Sequence, residues 1–238
     1  MTKLDGLLAT LFPLGHAVRV DGNLVSGTAR TAVAERVEVV GTANAAAVDA
    51  KLALAIAERI LSAMDDATRP LVFLVDTSGQ ALRRHEELIG LNAYLAHLAS
   101  TVDVARRNGY PSISIVYGAA VSGGYLSLGL MANRAYALGN AQIRVMDLHA
   151  MARVTRLPHE QLVTLARESP VFAPGAANYA RMGALSAIWP EPSAGLLCAA
   201  LVDAMGESSR TDGRLAAGHE RGGRVLGEPT AAAVMRAP

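Results

Sequence analysis

The residues best suited to chemistry lie in a small-residue turn at 121–124, where an apolar run meets a predicted helix. Gly123 and Gly124 allow the backbone to bend sharply and allow a ligand to approach the main chain closely. The following helix would direct free N–H groups and the positive end of its dipole at the turn. Such donors stabilise an oxyanion, so Gly123 and Gly124 are candidate catalytic residues. The alternative is close strand–helix packing through glycine, without a ligand.

A second small-residue turn follows an earlier apolar run and has the sequence DTSGQ at 76–80. Gly79 could again present an N–H group, with Thr77 and Ser78 beside it. The alternative is an ordinary loop, because these residue types also dominate turns that bind nothing.

Ser122 suggests a different chemistry, that of a serine nucleophile. Residues 120–124 approach the G-x-S-x-G nucleophile elbow, although alanine replaces the first glycine. His149 could act as the base, and Asp147 or Asp76 could complete a serine–histidine–aspartate set. The incomplete motif favours the competing interpretation, in which Ser122 caps the helix. The histidines show no metal-ligand spacing, so no metal site is expected.

Two apolar runs must position these turns. Residues 71–75 and 111–117 predict strands that are buried on both faces, as in a parallel sheet. Each strand is followed by a turn and a helix, which indicates an α/β fold. The further predicted elements are an N-terminal helix at 1–12, strands at 18–20, 28–34, 36–40, 135–138 and 143–146, and helices at 44–64, 86–106, 125–132, 159–168 and 192–204.

Two polar segments have simpler expectations. Glu86 and Glu87, with Arg83 and Arg84, are expected to form a solvated helix start, where acids suit the helix dipole. Residues 206–238 are rich in glycine, arginine and serine and are expected to form a loose tail with one helical piece.

Composition excludes several classes of protein. The chain has 238 residues, 51% of them hydrophobic, with a net charge of +1 and no basic stripe, which argues against a nucleic-acid binder. The single cysteine, Cys198, excludes a disulfide framework. Residues 108–133 carry no charge, but Pro111, four serines and a glycine pair favour a buried strand, turn and helix over a membrane span. No signal-peptide pattern is present, which predicts a cytoplasmic protein.

The two turns and their surroundings resemble a known family. Residues 75–90 and 111–125 combine a D-T-x-G-like loop and a G-G turn on either side of an E-x-x-G helix. This arrangement resembles the carboxyltransferase branch of the crotonase superfamily, and residues 135–146 fit the same branch. Over most of residues 1–205, the chain resembles the gamma subunit of biotin-independent malonate decarboxylase.

The resemblance implies a fold, partners and a reaction. The fold would be an α/β, crotonase/ClpP-like spiral of ββα units at 1–205, with a C-terminal extension at 206–238. A beta subunit of the same fold, an acyl-carrier protein and an acyl-carrier transferase subunit would be the partners. The carrier would present malonate as a thioester on a phosphoribosyl-dephospho-CoA arm, and this chain would bind no cofactor itself. The paired subunits would release CO2 and leave an acetyl thioester.

The resemblance also implies roles for individual residues. The implied catalytic residues are Gly123, Gly124, Gly79, Ser78 and Ser122, and the implied substrate-binding residues are Thr77, Tyr125, Gly118, Met146 and His149. The proton for the new carbanion would come from water, Ser122, Tyr125 or His149. The absence of a carboxylate at 125–133 disfavours the hydratase chemistry of other crotonases.

Two other functions stay open at this point. A serine peptidase of the ClpP type would use Ser122 and His149. A non-catalytic subunit would only position its partner, and its turns would serve assembly alone.

Overall fold

The structure is a computed structural model that describes residues 3–65, 69–168, 173–206 and 212–236. The helices are α1 (Lys3–Leu11), α2 (Ala50–Met64), α3 (Arg84–Leu88), α4 (Leu91–Arg107), α5 (Ser122–Leu126), α6 (Leu148–Thr155), α7 (His159–Glu168), α8 (Ala176–Arg181), α9 (Ala194–Gly206), α10 (Arg214–Glu220) and α11 (Gly227–Arg236). The strands are β1 (Arg19–Asp21), β2 (Leu24–Ala29), β3 (Val37–Thr42), β4 (Ala46–Val48), β5 (Leu71–Gln80), β6 (Ser112–Val121), β7 (Arg134–Leu138), β8 (Gln142–Arg144) and β9 (Ala187–Trp189).

The strands form a single sheet in the order β1-β2-β3-β5-β6-β7-β9. The N-terminal β1, β2 and β3 pair antiparallel in chain order, and the strand expected at 28–34 lies at Leu24–Ala29. From β3 to β9 every pairing is parallel. Two short strands lengthen the sheet at the C-terminal ends of its central strands: β4 pairs with the last residues of β5, and β8 pairs with the last residues of β6.

The core lies on both faces of β5 and β6. Val72 and Leu74 pack in the cluster that includes α1 and α9, whereas Leu71 and Phe73 pack in the cluster that includes α2 and α4. Successive side chains of a strand point to opposite faces, so a continuous apolar run is buried when helices cover both faces. The expectation of an α/β fold with buried parallel strands is confirmed.

Several element boundaries differ from the predictions. The helix expected from 44 begins only at Ala50, because residues 46–48 form β4 and Asp49 caps α2 by accepting the Leu52 N–H at 2.9 Å. The helix expected at 86–106 is divided into α3 and α4 at Gly90, whose φ is 75°. β5 and β6 also continue through the small-residue segments to Gln80 and Val121.

Glu86 is not part of a solvated helix start. Glu86 is only 4% exposed, and its carboxylate accepts hydrogen bonds from the Ala50 N–H at 3.1 Å and from an Arg83 N–H at 3.0 Å. The prediction is therefore wrong for Glu86, which joins α3 to the first turn of α2, whereas Glu87 is exposed.

The C-terminal extension is not a loose tail in the part described. It contains two helices, α10 and α11, and Arg221 fastens it to the rest of the chain. The Arg221 guanidinium donates to the carbonyls of Ala180 at 2.7 Å, Leu185 at 2.8 Å and Ser186 at 3.3 Å. The domain division at residue 205 stays a prediction.

The uncharged stretch at 108–133 folds into β6, α5 and a short 3-10 turn at Gly129–Met131, so a buried strand and a short helix take the place of a membrane span, as expected. The helix expected at 125–132 instead spans Ser122–Leu126, and β6 passes into it with no turn between them. Among the residues described, no helix is both long and apolar enough to cross a bilayer.

Candidate active site at the junction of β6 and α5

The two small-residue segments lie side by side, as the parallel strands require. β5 and β6 are neighbours with Thr77 opposite Ala120, so the ends of the two strands meet at one edge. A Cβ atom on Gly124 would lie 2.9 Å from the carbonyl carbon and oxygen of Gly79 and 2.7 Å from the Thr77 hydroxyl oxygen. Such contacts are too close for any side chain, so Gly124 allows α5 to pack directly on β5.

Gly123 has a different environment. Its N–H donates to the side-chain oxygen Oε1 of Gln80 at 3.0 Å. A Cβ atom at Gly123 would meet only the ends of two side chains, Gln80 Oε1 at 3.1 Å and Leu95 Cδ1 at 3.2 Å. The predicted donor therefore bonds an oxygen atom of the carbonyl type, and a side chain added at Gly123 would first meet the side chains of Gln80 and Leu95.

Gln80 was not predicted to have a role. The sequence places it after the second turn, but its contact with Gly123 exists because β5 continues to Gln80 and pairs there with Val48. The available signal was the amide side chain directly after Gly79, at the edge that parallel strands share.

The segment at 77–79 does not present the donors that were predicted. The Gly79 N–H bonds the Thr77 hydroxyl oxygen at 3.0 Å, and the Ser78 N–H bonds the Ala45 carbonyl at 3.3 Å. Thr77 is fully buried and donates its hydroxyl to the Ala46 carbonyl at 2.6 Å. The prediction of a free N–H at Gly79 is therefore wrong, and Thr77 secures β4 against β5.

Ser122 is the first residue of α5 and makes no side-chain capping bond, so the capping interpretation is wrong. Its φ is +46°, in the left-handed region that L-residues avoid. A strained serine between a strand and a helix is a feature of nucleophile elbows, so the backbone alone fits that alternative.

The partners of a serine nucleophile are nevertheless engaged elsewhere. The His149 ring stacks on His159 with centroids 4.1 Å apart, and the described residues contain no hydrogen bond between Ser122 and a histidine. Asp147 caps α6 by accepting the Ala150 N–H at 2.7 Å, and this bond keeps the pKa of the carboxyl below its usual value. The Asp76 carboxylate is also bound to backbone N–H groups. The structure thus does not assemble the predicted triad.

Two predicted substrate-binding residues, Gly118 and Tyr125, have packing roles in this structure. A Cβ atom at Gly118 would fall on the Asp76 carboxylate, so this glycine makes room for Asp76. Tyr125 is fully buried, its hydroxyl lacks a partner among the described residues, and burial raises its pKa. A role of either residue in substrate binding stays a prediction.

Met146 lies on a cavity of about 380 Å³ beside α5. Its other lining residues include Leu126, Met151 and Tyr179, with Arg144 and Arg224 at the same cavity. This placement is compatible with substrate contact by Met146, whereas His149 does not line the cavity.

The fold and the junction define a class, the crotonase-like carboxyltransferases. The chain is similar to a subunit of a Pseudomonas malonate decarboxylase hetero-tetramer in complex with coenzyme A (26% identity, 97% of this chain and 96% of that one, TM-score 0.77). It is also similar to a chain of the Pseudomonas MdcD-MdcE hetero-dimer (26% identity, 89% and 91% coverage, TM-score 0.73). Transcarboxylase 12S shares the fold, with 20% identity, 84% and 41% coverage, and a TM-score of 0.70.

The sequence matches the family model of the malonate decarboxylase gamma subunit over residues 43–237. This chain belongs to that family. A curated relative, malonyl-S-ACP:biotin-protein carboxyltransferase MADD of Malonomonas rubra, is 32% identical over an alignment of 170 residues that covers 66% of this chain. The chain spans 58% of the length of that relative.

Proposed function

We propose that this chain is the gamma-type subunit of a decarboxylase that converts a malonyl thioester on an acyl-carrier protein to an acetyl thioester and CO2. Family membership and the similarity to the Pseudomonas hetero-dimer support this proposal. The structural observation that supports it most directly is the hydrogen bond at the junction of β6 and α5, where the Gly123 N–H donates to the Gln80 amide oxygen at 3.0 Å.

This donor suits the chemistry of decarboxylation. When the bond between the methylene carbon and the carboxylate breaks, its electron pair moves into the thioester and produces an enolate. The negative charge collects on the thioester oxygen, where a fixed N–H donor stabilises it by about 3 kcal/mol. No general base is needed for this step, because the carboxylate leaves as CO2.

The carbanion must then receive a proton on carbon. Of the predicted proton donors, Tyr125 is fully buried in the core and the His149 ring stacks on His159. Ser122 lies at the junction and, like Gly123, is partly exposed, so solvent water can approach it. We assign the proton to one of these two sources.

We further propose that the chain acts in a cytoplasmic complex with a crotonase-like beta subunit, an acyl-carrier protein and an acyl-carrier transferase subunit. The carrier would hold the malonyl group on a phosphoribosyl-dephospho-CoA arm, and this chain would bind no cofactor of its own. Leu82 and Leu88, which follow Gln80 in sequence, are 79% and 74% exposed and supply apolar surface that a partner subunit would cover.

The test is a valine at Gly123 in the reconstituted complex. The added side chain would displace Gln80 and Leu95 and block the N–H, so CO2 release falls by about 100-fold while the subunits still assemble. Gly213→Val is the matched control, because a Cβ atom at Gly213 meets no atom of the described residues within 4 Å. Gly124→Val is unsuitable, because its side chain would collide with the backbone of Gly79.

The outcomes separate the three functions. Unchanged CO2 release per assembled complex in Gly123→Val would contradict the proposed role and favour a non-catalytic subunit. Covalent labelling of Ser122 by a fluorophosphonate would instead favour the peptidase.

A further inference from the structure

The proposed reaction leaves the side chain of Gln80 without a role, although this side chain occupies the donor that the reaction needs. Its Oε1 atom accepts the Gly123 N–H at 3.0 Å. An N–H group has one hydrogen, so it can bond well to Gln80 or to a substrate oxygen, but not to both. Gln80 and the substrate therefore compete for Gly123.

The bond between Gln80 and Gly123 can be exchanged at low cost. Within the ranges that the structure describes, it is the only hydrogen bond of the Gln80 side chain, which is partly exposed. The amide can therefore turn toward water after losing a single interaction. Water then satisfies the released amide, so little free energy is lost at Gln80 itself.

The chemistry of the two acceptors determines the direction of the competition. An amide oxygen carries more negative charge than a neutral thioester oxygen, because nitrogen donates electrons to its carbonyl more strongly than sulfur does. The uncharged thioester is therefore the weaker acceptor, so exchanging Gln80 for it on binding uses part of the free energy that the rest of the substrate supplies, which weakens the apparent affinity. The enolate oxygen, with its full charge, is a stronger acceptor than the amide.

We propose that Gln80 is a positioning residue that occupies the Gly123 N–H until a malonyl thioester displaces it, and that this competition weakens the apparent affinity for substrate. The proposal rests on the proposed function. Displacement precedes C–C cleavage and affects bound substrate and transition state equally, so it changes KM and leaves kcat unaltered. One neutral hydrogen bond corresponds to a change of about twofold to tenfold in an equilibrium constant.

The kinetic test is Gln80→Met in the assembled complex, with malonyl-carrier protein as the substrate. Methionine keeps the length of the side chain and removes the amide oxygen. We expect KM to fall about fivefold and kcat to stay unchanged, so that the variant has a higher kcat/KM than the wild type. Gln80→Ala is the second variant, and Gln142→Met, at an exposed position of β8, is the matched control.

A second measurement does not depend on turnover. Amide hydrogen exchange at Gly123, followed by NMR in the full-length chain, should be about fivefold faster in Gln80→Met and unchanged in Gln142→Met. Unchanged exchange would show that Gln80 does not occupy the N–H and would overturn the proposal.

The kinetic outcomes are equally decisive. A lower kcat with unchanged KM would mean that Gln80 itself donates to the transition state, and an unaltered KM and kcat would mean that it does not compete; either result overturns the proposal. If the wild-type complex releases no CO2 from malonyl-carrier protein, the proposed function fails. The exchange rate of Gly123 still reports in that case whether the bond to Gln80 exists.

Discussion

The Asp76 carboxylate occupies the space that a side chain at Gly118 would need. One oxygen accepts the Ala119 N–H at 2.8 Å, and the other accepts the Ala45 N–H at 3.0 Å. Asp76 thus joins β6 to the turn before β4, where Ala45 has a left-handed φ of 48°. These bonds position the strand ends that carry the junction.

Replacing Gly118 by alanine should therefore destabilise the fold. The methyl group would force the Asp76 carboxylate away from one or both backbone donors and leave them unpaired, at a cost of about 3 kcal/mol. Chemical denaturation of the chain measures the change. Gly195→Ala in α9 is the control, because it meets only Ser193 Oγ at 3.6 Å and should be neutral or stabilising. Equal stability of Gly118→Ala and wild type would show that Asp76 can move freely.

Glycine at position 122 should stabilise the chain. Ser122 has a φ of +46°, and glycine adopts this conformation without the steric cost of a Cβ atom, so the free energy of unfolding should rise by about 1 kcal/mol. Arg156, the C-cap of α6 with a φ of 60°, provides a matched control outside the junction, where Arg156→Gly should give a similar gain.

The reactivity of Ser122 gives an independent measurement. Because no histidine bonds Ser122 in the described structure, the wild-type chain should not react with a fluorophosphonate. Rapid labelling at Ser122 would show that this serine is an activated nucleophile. It would contradict the conclusion that its left-handed φ serves only the passage from β6 to α5.

The sequence predicts the architecture well because the architecture depends on local patterns. The apolar run at 71–75 has no polar position that could face water, so burial on both faces follows directly. The meeting of the two small-residue segments follows from parallel strands alone.

The side-chain chemistry of the site depends instead on long-range contacts that no local pattern encodes. Thr77 and Ser78 have turn-like residue types, yet pairing with β4 keeps this segment in a strand. The Ser78 N–H bonds the carbonyl of Ala45, just before β4, and the Gly79 N–H bonds the Thr77 hydroxyl oxygen. Tyr125 follows the glycine pair directly, but the helical turn directs its ring into the core beside Tyr179. Gln80 acquires its contact only after β5 and β6 pair.

Glu86 should contribute to stability, unlike its neighbour in sequence. Its buried carboxylate satisfies the Ala50 N–H at the start of α2, so Glu86→Ala leaves a buried donor unpaired and should cost about 2 kcal/mol. Glu87 is exposed, and Glu87→Ala should change the free energy of unfolding by less than about 0.5 kcal/mol. Thermal unfolding of both variants tests the difference, and equal effects would mean that Glu86 is solvated after all.

Arg221 should determine whether the C-terminal helices stay attached. Its planar guanidinium reaches three carbonyls between α8 and β9, a geometry that the single ammonium of lysine cannot reproduce. In Arg221→Lys we expect amide exchange in α10 to accelerate about tenfold, because charge-assisted hydrogen bonds are lost. Exchange in α2, which Arg221 does not bond, should not change. Arg236→Lys is the control, since the one hydrogen bond of its side chain to a described residue is to the Ala232 carbonyl in its own helix. Faster exchange in both variants would show that α10 opens independently of Arg221, whereas faster exchange in Arg221→Lys alone assigns the attachment to this residue.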